Sequence, residues 1–382
     1  MLIHTVVLCL SAAVSTVLGT PLQHAVAPTT FSNKVIFTPP QDYTDPRVLY
    51  ARTVELADGT LLATWENYSP EPPLVYFPIY ESKDYGVSWK MISKVTDDVN
   101  NWGLRYQPFL YELPEDLGEF KAGTILCAGN SIPTDLSQTR IDVYASTDKG
   151  HTWEFVSHVA AGGVAKPNNG ETPVWEPFLM MYKSQMILYY SDQRDPKYGQ
   201  KLVHQTSSDL RTWDPPVDDV AHSPYTARPG MTTVARLPDG RYIMSYEYGG
   251  GPGAGSGYTF PVFYRIAEDP RQFARAADHP VKAGSTVPIG SPYVTWSSVG
   301  GRDGSIVVSD GTGSRIFVNR AMGDESKWVA YSVPQPEAYT RHLRVLNADP
   351  SKLLIMGAGH LPPSTTNKVS LSVVDLKQLM NL

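Results

Sequence analysis

Two glutamates stand in settings suited to acid–base chemistry. Glu176 lies in Trp175-Glu176-Pro177-Phe178 and Glu247 in Tyr246-Glu247-Tyr248. Flanking aromatic rings keep water from a carboxyl group and raise its pKa toward that of a general acid. A carboxylate pair beside aromatic platforms is the ordinary equipment of glycoside hydrolysis. Glu66, Glu171, Asp192 and Asp310 compete for the same work. Other chemistries find little support. The nine histidines form no H-E-x-x-H and no close pair. No G-x-S-x-G elbow occurs. Gly249 to Gly257 lacks the Lys-Ser/Thr of a phosphate cradle and reads as a long loop, so neither metal nor cofactor is expected. A net charge of −6 argues against a nucleic-acid partner.

These glutamates need a scaffold, and the chain supplies one by repetition. Ser82-Lys83-Asp84-Tyr85-Gly86-Val87-Ser88-Trp89 is matched by Ser146-Thr147-Asp148-Lys149-Gly150-His151-Thr152-Trp153. Ser207-Ser208-Asp209-Leu210-Arg211-Thr212-Trp213 is a shortened copy, and Asp269, Asp324 and Asp375 mark weaker echoes. A strand–turn–strand pattern recurs with the same period, with Asp58-Gly59, Asp239-Gly240 and Asp303-Gly304 as hairpin turns. Two patterns interleaved six times predict an all-β, six-bladed propeller with Asp-box turns. In the Asp-box the aspartate accepts turn N–H groups, the glycine permits positive φ, and Trp89, Trp153 and Trp213 pack between blades. The last unit offers three strands, His342–Leu346, Leu353–Met356 and Val369–Val374. The N-terminal Lys34-Val35-Ile36-Phe37 is expected to supply the fourth and close the ring.

With strands named A to D outward from the channel, the upper funnel is built just before strand A and just after strand B. The first set is Asp45, Arg47, Trp102, Arg105, Tyr106, Glu171, Trp175, Glu176, Arg228, Tyr293, Tyr339 and Arg341. The second is Glu66, Asn67, Asn130, Asp192, Arg194, Asp195, Glu247, Asp310 and His360. Together they suggest a polar ligand site rich in aromatics. Glu176 and Glu247 fall on adjacent blades and one face. The 249–257 loop and Ala161–Gly170 are expected to wall one end of the funnel, which favours exo-acting cleavage.

The Asp-boxes, Trp175-Glu176-Pro177, Tyr189-Tyr190-Ser191-Asp192-Gln193-Arg194-Asp195, Arg228-Pro229-Gly230-Met231 and Tyr246-Glu247-Tyr248 resemble glycoside hydrolase family 93, the secreted fungal exo-α-1,5-L-arabinanases on a sialidase-like propeller. The resemblance implies a retaining enzyme that releases arabinobiose from the non-reducing end of linear arabinan without a metal. It implies Glu247 as nucleophile, Glu176 as general acid/base, and Tyr339 as a hydroxyl that bonds and orients the nucleophile. Arabinofuranose is neutral, so aromatic rings should stack on it while Arg, Asp and Asn bond its hydroxyls. The binding residues expected are Arg47, Glu66, Asn67, Trp102, Arg105, Tyr106, Asn130, Trp175, Asp192, Arg194, Arg228, Tyr293 and Arg341. One rival is a sialidase, with Tyr339 and Glu247 as nucleophile pair and Arg47, Arg228 and Arg341 gripping a carboxylate. Against it, no Arg-Ile-Pro precedes the first blade, where Pro46-Arg47-Val48 stands instead. Another rival is a non-catalytic, lectin-like sugar-binding propeller.

Leu2 to Leu18 are apolar and uncharged, with small residues following at Gly19 and Thr20. This predicts a signal peptide over residues 1–20, with 21–382 a single catalytic propeller. A secreted, extracellular monomer is expected, with no membrane partner, since no second hydrophobic run follows. Cys9 falls in the leader. Cys127, in an apolar run, reads as a buried small hydrophobe.

Overall fold

The computed structural model describes residues 27–253 and 257–382. The leader expected over residues 1–20 lies outside the described residues. Six four-stranded antiparallel sheets follow one another along the chain. Their innermost strands are Val48–Glu55, Leu104–Glu112, Val174–Tyr182, Arg228–Arg236, Val294–Ser297 and His342–Leu346. Each packs beside the next, and that of blade 6 packs beside that of blade 1, so the sheets form a closed propeller. The second strands, which return to the upper face, are Leu61–Asn67, Ile125–Ser131, Gln185–Asp192, Tyr242–Gly249, Ser305–Ser309 and Asp349–Gly357. No helix among the described residues is long and apolar enough to cross a membrane.

The ring closes as the sequence predicts. Phe31–Phe37 pairs with Val369–Asp375 and forms the outermost strand of blade 6. Blade 6 therefore joins the two ends of the chain and leaves Val369–Asp375 no open edge.

The Asp-boxes lock the lower face. Asp84 Oδ1 accepts the Ser88 N–H at 2.8 Å, Ser82 Oγ accepts the Gly86 N–H at 2.8 Å, and Gly86 takes φ +92°. Asp148 and Gly150 repeat the arrangement in blade 2. In the shortened third copy Leu210 takes the left-handed position, with φ 62°. The loops also join blades. Trp153 Nε1 donates to Ser93 Oγ of blade 1, and Trp213 Nε1 donates to Ser157 Oγ of blade 2. Asp269, Asp324 and Asp375, the weaker echoes, likewise accept N–H groups two residues on.

Leu371 carries the last closure. It is fully buried among residues of blades 6 and 1, and its Cδ1 lies 3.0 Å from where a Cβ on Gly86 would stand. Leu371→Ala should lower the unfolding free energy by about 3 kcal/mol, the cost of a large-to-small change in a tight core. Urea denaturation checks this, and a change near zero would show that the blade 6–blade 1 seam carries little of the stability.

Candidate active site

The upper ends of the innermost strands share one backbone feature. Tyr50, Gln107, Glu176, Met231, Ser291 and Thr340 have φ of 53°, 60°, 63°, 58°, 45° and 54°. In blades 1 to 4 the residue sits at a bulge, where pairing skips between Leu49 and Arg52, Tyr106 and Phe109, Trp175 and Phe178, and Gly230 and Thr233. A left-handed non-glycine residue costs about 1–2 kcal/mol. The bulge turns N–H groups out of the ladder and re-aims side chains. In blades 2 to 5 the freed N–H reaches a side chain of the preceding blade. Gln107 donates to Glu66 Oε1 at 2.9 Å, and Glu176 to Gln107 Oε1 at 3.0 Å. Met231 donates to Glu176 Oε2 at 2.7 Å, and Ser291 to Glu247 Oε2 at 2.7 Å.

This places Glu176 and Glu247 together. A Cβ on Gly230 would stand 3.4 Å from Glu247 Oε1 and 3.5 Å from Glu176 Oε2. Those two oxygens are therefore at most ~7 Å apart, within the carboxyl separations that glycosidases use. Glu176 Oε2 takes two donors, the Met231 N–H and Ser191 Oγ at 2.6 Å, which leaves Oε1 free to carry a proton. Burial raises both pKa values. Glu247 goes to about 8, helped by the negative charge of Glu176 beside it. Glu176 moves in the same direction, opposed by its two hydrogen bonds and the charges of Arg228 and Arg52. A pair of this kind shares one proton near neutral pH. A third carboxyl, Glu66, is pushed up to about 7 by burial, while Tyr68 Oη donates to its Oε2 at 2.7 Å.

The three carboxyls open into a cavity of about 770 Å³. Of the residues expected in the site, Glu176, Glu247, Tyr339, Glu66, Tyr106, Trp175, Arg228 and His360 line it. Ala165 and Pro167 of the Ala161–Gly170 loop wall one side. Part of the 249–257 loop, residues 254–256, lies outside the described residues. Phe260 just beyond it lines the cavity, as do Leu361 and Pro362 of blade 6. No group of three His, Cys, Asp or Glu side chains suited to hold a metal ion occurs among the described residues.

Nine expected binding residues lie outside the cavity lining, and for most of them a nearer partner takes the polar group. Arg47 is held by the carbonyls of Pro39, Pro40 and Thr365. Arg105 pairs with Glu71 at 2.9 Å, and Arg194 pairs with Asp192 at 2.7 Å. Fully buried Arg341 is bound to Asp310 at 2.7 Å. These contacts also remove Asp192 and Asp310 from the competition for acid–base work. Glu171 is not among the cavity-lining residues. Trp102 packs against Arg140, and Asn67 is buried outside the lining. Asn130 is buried behind Gln107 and donates to its Oε1 at 2.7 Å. Tyr293 packs edge-on against His342 inside the channel. The hydrogen bond expected from Tyr339 to Glu247 is replaced. Tyr339 Oη donates to Met231 Sδ at 3.7 Å, where the blade 4 bulge presents the sulfur. Burial and the nearby glutamates hold its pKa well above 10.

Gln107, Tyr68, Gln200, Ser191 and Ser291 line the cavity or hold its carboxyls without being among the residues that the sequence singles out. A signal for Gln107 was present, since Gln107-Pro108-Phe109-Leu110 reproduces Glu176-Pro177-Phe178-Leu179.

Neither a protein-family model nor a curated protein matches the chain. Solved structures do. The GH93 α-L-arabinofuranosidase of Fusarium graminearum in complex with arabinobiose is 62% identical, with a TM-score of 0.91, over 92% of this chain and 99% of that chain. The α-L-arabinanase of Penicillium chrysogenum complexed with arabinobiose is 54% identical, with a TM-score of 0.90, over 92% of this chain and 100% of that one. The NanB sialidase of Streptococcus pneumoniae, at 11% identity and a TM-score of 0.56 over 96% of this chain and 73% of that one, shares the fold.

Gly230 keeps the space between the glutamates open. Gly230→Ala should lower kcat/KM by at least about tenfold, because a displaced reacting group loses much of its rate. Its melting temperature should change far less, and steady-state kinetics beside thermal unfolding would show it. A second expectation concerns stability. Glu247 binds a proton in the folded state between its unfolded pKa, near 4.5, and about 8, so wild-type stability falls as pH rises through that window. Glu247→Gln removes the penalty. Its gain in melting temperature should therefore grow from pH 4 to pH 8, and a gain independent of pH would contradict the assignment.

Proposed function

Since the chain belongs to glycoside hydrolase family 93, we propose that it is an exo-acting arabinanase that cleaves linear α-1,5-L-arabinan and releases arabinobiose from the non-reducing end. The observation that carries this reading is the buried pair Glu176 and Glu247, flanking Gly230 at the floor of the cavity. The two similar enzymes bound to arabinobiose support the choice of substrate.

The reaction is a double displacement. Its reactive form has the proton on Glu176 Oε1 and Glu247 ionised. Glu247 attacks the anomeric carbon while Glu176 protonates the departing oxygen, giving a covalent arabinobiosyl-enzyme. Esterification of Glu247 removes a negative charge beside Glu176, lowers its pKa and turns it into a base. It then takes a proton from the water that displaces Glu247. Ser291 N–H holds Glu247, while Ser191 and the Met231 N–H hold Glu176. Tyr106 and Trp175 supply apolar faces for the sugar. Arg228, held by Asn169, Gln193 and Gln200, keeps a positive charge near both carboxyls. The apolar run from Leu2 to Leu18, which carries no Lys, Arg, Asp or Glu, supports secretion. A sialidase reading loses its carboxylate grip, because Arg47 and Arg341 are committed away from the cavity.

The wild-type enzyme should release arabinobiose as the early product from linear arabinan, and Glu247→Ala should release none. Azide should restore turnover of an activated aryl arabinobioside by Glu247→Ala with inverted glycosyl azide as product. With Glu176→Ala it should yield the retained azide. The opposite pattern of azides would exchange the two roles, and arabinose as the sole early product would contradict the product assignment.

A further inference from the structure

Glu247 stands between two tyrosines that turn to the opposite face of its strand. Side chains alternate along Tyr242–Gly249. Glu247 faces blade 5, where the Ser291 N–H holds it. Tyr246 and Tyr248 face the other way, toward the end of blade 3, and neither lines the cavity. The nucleophile is thus held in front by one hydrogen bond, while its backbone is held from behind by groups outside the cavity.

Asp278 is the centre of that rear support. Fully buried Tyr246 donates its Oη to Asp278 Oδ1 at 2.5 Å. Arg265 donates its Nε to the same oxygen and its Nη1 to the carbonyl of Asp219, at 2.7 Å, in the outermost strand of blade 3. The hydroxyl beside Glu247 is therefore tied through Asp278 and Arg265 to the neighbouring blade. Burial opposes ionisation of Asp278, but the hydrogen bonds from Arg265 and Tyr246 hold its pKa below the ordinary carboxylate range. A charged acceptor makes the bond from Tyr246 a strong one. Tyr248 adds a second hold, stacked on His222 with centroids 3.9 Å apart and planes within 5°, and His222 Nε2 lies 3.8 Å from Asp278 Oδ2. Blade 4 needs this support, because its outermost strand is the shortest of the six, the two residues His279–Pro280.

We propose that Asp278 is a positioning residue for the nucleophile, which acts through Tyr246 to fix the strand end that carries Glu247 and so keeps its carboxylate against the Ser291 N–H. This rests on the double-displacement reading above, in which Glu247 attacks. The titratable groups around Glu247 itself are Glu176, Arg228, Tyr258 and Tyr339. Burial and Glu176 raise its pKa, and the Ser291 N–H lowers it. Position and charge therefore predict opposite signs. A strand end that shifts loses the Ser291 N–H, and the pKa of Glu247 goes up. Removing the negative charge of Asp278 with the strand end in place would bring it down.

The test follows turnover of an aryl α-1,5-L-arabinobioside across pH. Tyr246→Phe removes one hydroxyl and no charge. It should lower kcat by about tenfold, the scale of a small misplacement of a reacting group. The inhibition constant of arabinobiose, which reads the cavity, should stay in place. The acid limb of kcat/KM, where Glu247 ionises, should move to higher pH. Asp278→Ala should do the same to a greater extent, and Asp278→Asn, which keeps an acceptor oxygen for Tyr246, should recover part of the loss. Tyr264→Phe is the control, since it removes another buried hydroxyl of blade 4, bonded to the Gly323 carbonyl at 2.6 Å. It should cost melting temperature without moving kcat or the acid limb. If Asp278→Ala does not fold, Tyr246→Phe carries the test alone. Unchanged kcat and acid limb in Tyr246→Phe, an acid limb moved to lower pH in Asp278→Ala, or equal losses of kcat in Tyr264→Phe would overturn the proposal. A wild-type enzyme that does not turn over the bioside would instead bring down the arabinanase reading, and this proposal with it.

Discussion

The site depends on the left-handed residue at the top of each innermost strand. An unbroken strand would spend its N–H groups on its own sheet and point successive side chains to alternate faces. The bulge releases one N–H toward the neighbouring blade and turns one side chain into the funnel. In blades 2 to 5 it makes each blade hold a group of the blade before it. Gln107 holds Glu66, Glu176 holds Gln107, Met231 holds Glu176, and Ser291 holds Glu247. The strain of six such residues is supported by the closed ring, which cannot relax one blade without moving the next. Catalytic geometry here is therefore a property of the contacts between blades.

The same arrangement makes the site electrostatically costly. Three carboxyls are buried in one cavity, and the pKa of each is raised. Backbone N–H groups and Ser191 offset part of that cost, and Arg228 and Arg52 offset more from a distance. The remainder raises the pKa of Glu176 and Glu247 together, so that a proton stays with the pair, and the proposed mechanism gives that proton to the leaving group. Gly230 contributes by what it lacks, since any side chain would fill the gap between the two acids.

Much of this was legible in the chain. The Asp-box and Asp-Gly turns have fixed local chemistry, so they declare the six blades, and the missing fourth strand of the last unit pointed to the N-terminus. The burial of Glu176 and Glu247 was legible from aromatic neighbours, and their meeting at one face from their place at strand ends on adjacent blades. What failed was the direction of side chains on the rim. Position before strand A or after strand B puts a residue at the upper face, but a single residue of register decides whether it meets the cavity or a neighbouring carbonyl. Arg47 and Arg341 lie at the right height and are claimed by Pro39, Pro40 and Thr365 and by Asp310. Gln107 was overlooked because an amide carries no acid–base signal, although its Gln-Pro-Phe-Leu context repeats that of Glu176. The Tyr339 contact with Met231 depends on where a sulfur falls across the funnel, which no local pattern encodes.

In the proposed mechanism Glu176 and Glu247 act on opposite sides of one anomeric carbon through a covalent intermediate. The most direct test is proton NMR of the first product formed from an aryl α-1,5-L-arabinobioside, read before mutarotation. With double displacement the α-anomer of arabinobiose should emerge first and the β-anomer grow in later at the uncatalysed rate. Initial release of the β-anomer would mean single displacement by water, and would contradict the assignment of a nucleophile to either glutamate.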